Sequence, residues 1–257
     1  MNFFKHGNKE NPLYAFSIFE KHYSCVDFPR KGKGFVSLEL GPGDSLFSAL
    51  ISSSFGGSAS YLVDVGSFAS EEFERYNLMA EFLRSKNLPV HKLNDCIDRE
   101  GYLSACNARY LVDGINSLRK IPDSSVDFIW SNAVLEHIRK KDFLPLLQEL
   151  RRILRPDGIC SHRIDLRDHL SCALNNLRFS EKVWESDFFS SSGFYTNRIR
   201  FSQMLELFGA AKFSSEVINV EFWNSLPTPL YSLALDFKRL PEEELLKSGF
   251  DVILRPI

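Results

Sequence analysis

Residues 34–45 read Gly-Phe-Val-Ser-Leu-Glu-Leu-Gly-Pro-Gly-Asp-Ser, and the fold class turns on this stretch. The apolar run Gly34–Leu40 predicts a short buried strand. Gly41 and Gly43 then let the backbone turn sharply and approach a ligand with no Cβ in the way. Asp44 or Ser45 is placed to cap the helix that follows. That helix is predicted over Ser45–Ser54, where Leu46, Phe47, Leu50 and Ile51 recur at helical spacing.

Moving outward, strand-like and helix-like segments alternate. Ala59–Val65 reads as a second strand, and Ser70–Lys86 as a helix closed by Asn87 and Pro89. Ala108–Val112 and Val126–Ser131 read as the third and fourth strands. A stripe of Phe143, Leu146, Leu147, Leu150, Ile153 and Leu154 marks a helix over 142–154, stopped by Arg155-Pro156-Asp157-Gly158. Ile159–Leu166 is the fifth strand. This alternation predicts an α/β fold built on a doubly wound, mostly parallel sheet. Further on, Phe201–Ala211 looks helical, while Phe213–Trp223 and Phe250–Ile257 look extended. The stretch 170–200 is long for a loop and is expected to be a lid, a binding element or a small helical insertion. Its aromatics Trp184, Phe188, Phe189, Phe194 and Tyr195 either line an apolar pocket or form the core of a small helical cap. The expectation is one domain over 1–257: a helical extension (1–30), a cofactor-binding core (34–166), the lid (170–200), and a C-terminal helix and strand hairpin (201–257).

Composition narrows the class. Of 257 residues, 44% are apolar and 25% charged, which is ordinary globular usage. Basic and acidic side chains number 31 and 33, so the net charge of −2 makes no case for nucleic acid or an anionic membrane surface. The apolar runs are shorter than a membrane span, and residues 1–16 carry no signal-peptide core, so a soluble cytosolic protein is expected. Cysteines stand at 25, 96, 106, 160 and 172, an odd number with no CxxC pair; reduced, packed thiols are expected, without a disulfide framework or zinc site. The 23 phenylalanines imply a large apolar core or an apolar site and select neither.

Asp64 ends the second strand, 21 residues beyond Gly43, where a carboxylate can accept both hydroxyls of a ribose. A dinucleotide site wants a third glycine, where this chain has Leu46, and Asp44 places negative charge where phosphates would sit. Both features suit a nucleoside without phosphates and with a cationic end, such as S-adenosylmethionine.

Glu39-Leu-Gly-Pro-Gly43 resembles the first motif of class I S-adenosylmethionine-dependent methyltransferases, and Asp64 matches their ribose-binding acid. Ile121–Ile138 (IPDSSVDFIWSNAVLEHI) resembles their segment through the fourth strand, and Glu149–Gly158 (ELRRILRPDG) the helix and turn before the fifth. The nearest type is the broad bacterial "type 11" group, whose fourth strand ends in a vLeHi element. The resemblance spans about residues 34–166 in the expected order. It implies a seven-stranded Rossmann-like sheet with an antiparallel last strand, and S-adenosylmethionine as cofactor. By the same resemblance the methionine end meets Glu39, Gly41, Pro42 and Gly43, with Ser131 and Asn132 opposite, though these two also suit turn positions. Where many members carry Gly-Asp-Ala after the third strand, this chain has Gly114-Ile115-Asn116. The adenine contact therefore falls to Asn116, Asp113 or a backbone amide.

Methyl transfer aligns an acceptor with a sulfonium methyl, and a hydroxyl acceptor also needs a base. The densest ionisable cluster is His162-Arg-Ile-Asp165-Leu-Arg-Asp168-His169. His162 is the expected base, with Asp165 or Asp168 orienting its ring; a purely structural polar network is the competing reading. Asp165, Asp168 and His169 share a face if this stretch is helical, but no metal motif matches and none is expected. His137 is a second base candidate or a helix-end histidine. Residues 139–200 carry 12 Lys/Arg against 8 Asp/Glu, a mild positive field that fits an anionic acceptor. The expected function is methylation of a small-molecule or glycan-like acceptor on oxygen, with nucleic acid disfavoured. The alternatives are a non-catalytic module binding S-adenosylmethionine or S-adenosylhomocysteine, and a nicotinamide oxidoreductase, against which Leu46 and Asp44 weigh.

Overall fold

The structure is a computed structural model that describes residues 11–90, 93, 96 and 98–257. The seven strands hydrogen-bond in the order β3-β2-β1-β4-β5-β7-β6, a mixed sheet, mostly parallel with antiparallel last strands. The chain divides into two compact units, one of residues 11–132 with Glu149–Ser161, the other of Ala133–Gln148 with His162–Arg255. Elements run α1 (Pro12–Ser24), β1 (Phe35–Leu40), α2 (Phe47–Ser54), β2 (Gly57–Val63), α3 (Phe73–Ser85), α4 (Arg99–Ala105), β3 (Ala108–Leu111), α5 (Gly114–Leu118) and β4 (Val126–Asn132). They continue through α6 (Lys140–Ile153), β5 (Leu154–Asp165), the short α7 (Glu181–Trp184) and α8 (Asp187–Ser190), α9 (Phe201–Ala210) and β6 (Phe213–Phe222). The short α10 (Leu235–Lys238) and α11 (Glu242–Leu246) precede β7 (Lys247–Pro256).

In the first unit, β1 pairs in parallel with β2 and β4, and β2 with β3. β1 and β4 are buried almost throughout, their polar Ser37, Glu39, Asp127 and Ser131 included. The buried Asp127 on β4 ties the layers together: its carboxylate accepts the Val36 amide at 2.8 Å and pairs with Arg155 at 3.1 Å. The expected helical extension holds α1; its residues 1–10 lie outside the described residues. Asn11 starts this helix by accepting the amides of Leu13 (2.9 Å) and Tyr14 (3.3 Å), with Pro12 in the first turn. Phe16, Phe19 and Tyr23 lie on one helical face and are buried. The Phe19 ring meets Phe128 at 6.3 Å and Trp130 at 5.8 Å edge-on, and Tyr23 meets Phe55 at 5.0 Å. His22, also buried, places Nδ1 2.8 Å from the Ser161 hydroxyl. Much of the phenylalanine excess is therefore core.

Several elements differ from expectation. α6 ends at Ile153 where the amides of Ser124 and Ser125 take the carbonyls of Arg152 and Ile153, and β5 begins directly at Leu154. Arg155-Pro-Asp-Gly158 thus lies in extended strand and not in a stop between elements. α4, unforeseen in the sequence, is capped by Asp98, whose carboxylate accepts the Gly101 amide at 2.8 Å.

In the second unit, residues 170–200 form a short 3-10 turn (Asn175–Arg178) followed by α7 and α8. Trp184 is fully buried, stacks on Phe179 at 5.4 Å and Phe189 at 5.2 Å, and donates its indole N–H to the Thr196 carbonyl at 2.7 Å. Of the two readings of these aromatics, the geometry gives the core of a helical cap, with Phe188 alone left widely exposed. Leu174, Leu177, Leu233, Phe237 and Leu245 make a second buried cluster. Among the described residues, no helix is long and apolar enough to cross a membrane.

Candidate functional site

In parallel sheets ligands sit beyond the carboxyl ends of the strands, and in the first unit four expected residues meet there. Gly41 and Gly43 both hold the left-handed backbone region (φ +65° and +67°), which only glycine adopts without strain. The Gly41 amide donates to the Val63 carbonyl at 2.8 Å, locking the turn onto the end of β2. Asp64 follows directly: Oδ2 accepts the Gly43 amide at 3.1 Å and Oδ1 the Val65 amide at 2.7 Å. Its own backbone bridges Leu111 and Gly114, so the exits of β2 and β3 are fixed around it. Glu39, near the end of β1, is buried with its carboxylate accepting the Ser48 hydroxyl.

The cap expected from Asp44 or Ser45 does not form. α2 starts at Phe47 with Leu46 at the capping position and no side-chain cap, and the Ser48 hydroxyl in its first turn donates to Glu39. Glu39 and Pro42 line a pocket with Ser45, Ser48 and Trp130, closed by Tyr14 and Ile18 of α1. Sequence reading missed the α1 residues. Their signal was the Asn11-Pro12 helix start with Tyr14 and Ile18 one turn apart, but nothing local says which surface that face covers.

Ser131 is wholly buried, and Asn132, half-buried, ends β4 just before Ala133, a non-glycine residue at φ +54°. Asn116 stands apart. It is exposed on α5, where its amide donates to Asp113 at 3.3 Å and accepts from Arg119 at 2.9 Å.

The second unit holds the three expected catalytic residues, His162, Asp165 and Asp168. His162 is fully buried on β5. Asp168 is buried as well, and both its oxygens receive backbone amides: Oδ1 those of Leu170, Ser171 and Ala173, Oδ2 that of Asn175. The acid expected to orient an imidazole thus closes a turn. Asp165 is engaged by its neighbour Arg167, through Nε at 2.9 Å and Nη2 at 2.6 Å. His137 places Nδ1 3.0 Å from the Tyr195 carbonyl; a carbonyl only accepts, so Nδ1 carries a proton. Its ring lies 4.8 Å from that of His169. Among the described residues no group of three or more His, Cys, Asp or Glu is arranged to hold a metal.

Sequence reading also passed over Glu136. It is buried beside Asp165, whose amide donates to Oε1 at 3.3 Å, while Oε2 has no hydrogen-bond partner. Burial, reinforced by the Asp165 charge, pushes its pKa up to about 8, against the smaller opposing effects of backbone amides and Arg163.

A mostly parallel α/β sheet with a glycine turn after β1 and an acid after β2 is an arrangement suited to binding a nucleoside. Residues 38–161 match the family described as a methyltransferase domain. Over that segment, just under half of the chain, it is similar to S-adenosylmethionine-dependent methyltransferases. In structure it is similar to a chain of the Haloferax volcanii complex containing the Trm112 methyltransferase activator, at 15% identity and a TM-score of 0.51, covering 98% of this chain and 94% of that one. The YcgJ protein from Bacillus subtilis is similar at 16% identity and a TM-score of 0.49, with 94% and 96% covered. CrArsM, an arsenic(III) S-adenosylmethionine methyltransferase from Chlamydomonas reinhardtii, is similar at 16% identity and a TM-score of 0.48, with 89% and 64% covered. No curated protein matches the chain.

Proposed function

We propose that the chain methylates a small-molecule or glycan-like acceptor at oxygen, holding S-adenosylmethionine on Glu39, the Gly41-Pro42-Gly43 turn, Asp64, Ser131 and Asn132. The observation that carries this reading is Asp64. Its carboxylate sits at the end of β2 against the Gly43 amide, where a ribose diol replaces one amide contact and gains a charged acceptor. The bound cofactor supplies a methyl group on a positively charged sulfur. Glu39 suits that charge: it is a buried carboxylate in a pocket it shares with Ser45, Ser48, Pro42, Trp130 and the α1 residues Tyr14, Ala15 and Ile18. Asn116, engaged by Asp113 and Arg119, would have to exchange those partners to meet adenine. A hydroxyl acceptor must give up a proton, and His162 and His137 are the candidate bases for it.

Calorimetric titration with S-adenosylmethionine, S-adenosylhomocysteine and NAD tests the reading. Both sulfur nucleosides are expected to bind near micromolar affinity and NAD not at all. Removing the charged acceptor in Asp64→Ala costs about 2–4 kcal/mol, a loss of roughly 30- to 1000-fold. Absence of sulfur-nucleoside binding, or full binding by Asp64→Ala, refutes it.

A further inference from the structure

The second unit contains a cavity of about 220 Å³ lined by Lys140, Glu181, Arg198, Gln203, Asp236 and Phe237. Arg198 is the unusual member. It is 5% exposed, and burying a cation is costly enough that a structural role alone is better filled by an apolar side chain. Its guanidinium lies between the rings of Trp184 (5.5 Å) and Phe237 (5.1 Å). Nη1 donates to the carbonyls of Phe179 (2.7 Å) and Asn176 (3.3 Å), while the Nε–H is buried with no hydrogen-bond partner. The backbone there is left-handed (φ +59°), a conformation that a non-glycine residue keeps only where its surroundings impose it.

The ion pair of Arg198 is made with Glu181, at 2.6 Å from Nη2. Lys140 binds the other oxygen of the same carboxylate at 2.7 Å. Glu181 thus bridges two cations from one position, and that position marks where a carboxylate-like group fits. Glu181 is 42% exposed and can turn into water at little cost, which Arg198 cannot. The exposed Gln203 and Asp236 add hydrogen-bond acceptors for hydroxyl groups. At about 30 Å³ per water the cavity holds about seven waters, room for a single sugar ring.

We infer that this cavity is a subsite for a hydroxylated organic anion, a small sugar-like molecule bearing a carboxylate or phosphate that displaces Glu181 from Lys140 and Arg198. That this ligand is the methyl acceptor rests on the proposed function; the anion site itself does not. The cap segment carrying Glu181 then exchanges an internal counter-ion for the ligand's.

Titrating the full chain with glucuronate, glucose 6-phosphate and glucose tests this directly. At least one of the two anions should bind, with glucose at least about tenfold weaker. The better of the two identifies the carboxylate or the phosphate as the group recognised. Glu181→Gln removes the internal competitor and should tighten the anion about tenfold while leaving glucose unchanged. Lys140→Ala, at a half-exposed side chain, and Arg198→Lys, which keeps the charge but loses the planar fork, should each weaken it. Equal binding of glucose, no tightening in Glu181→Gln, or no binding of either anion to wild type and Glu181→Gln overturns the proposal. S-adenosylhomocysteine binding, measured on the same samples, reports the cofactor site separately, so its absence would count against the methyltransferase reading and not against the anion site.

Discussion

Glu136 permits a quantitative test of the second unit's interior. In solution such a carboxyl titrates near 4.5; here burial, with the Asp165 charge nearby, holds the proton up to about pH 8. The folded protein therefore keeps this proton where the unfolded chain has released it, and folding stability falls as pH rises through that window. Each pH unit between 4.5 and 8 costs the folded state about 1.4 kcal/mol, so the penalty is near zero at pH 4, about 3 kcal/mol at pH 7 and about 5 kcal/mol at its plateau. Glu136→Gln keeps the shape and keeps an acceptor for the Asp165 amide, but has no proton to lose. Urea denaturation of both proteins at pH 5, 6, 7 and 8 measures the difference directly. The variant should gain on wild type at about 1.4 kcal/mol per pH unit, most of the gain appearing by pH 8. Parallel stability profiles over that range would refute the argument, because any group other than Glu136 contributes equally to both proteins.

Two further substitutions probe what holds each unit. Phe19→Ala removes a fully buried ring that touches Phe128 and Trp130, and should cost about 3–5 kcal/mol in urea denaturation, with α1 the first segment to lose amide exchange protection. Asp168→Ala strands the backbone amides of Leu170, Ser171, Ala173 and Asn175, and should cost about 2–4 kcal/mol by the same assay, whereas Asp168→Asn, which keeps one acceptor oxygen, should cost less.

Much of the cofactor half was legible because its chemistry is local. A strand, two glycines in left-handed geometry and an acid at the next strand's end are set by residues within about thirty positions of one another, and turn requirements leave few residue types to choose from. The acceptor half was not. Among the charged residues from His162 to His169, Asp168 accepts the amides of its own turn and Asp165 pairs with its neighbour Arg167, contacts that no periodicity announces. Aromatics of the 170–200 stretch were equally consistent with a pocket and a core until Trp184 was seen stacked and sealed.

The sequence by itself determined the order of the first five strands with the helices α2, α3 and α6, the glycine turn, and Asp64 beside it, since periodicity and backbone sterics act between near neighbours. Only the tertiary structure decided that α1 walls the pocket holding Glu39, that Glu136 keeps its proton at neutral pH, and that Arg198 shares Glu181 with Lys140. Burial and charge pairing are properties of the surroundings, and those are supplied by residues far away in the chain: His22 meets Ser161 across 139 positions, and Lys140 meets Glu181 across 41.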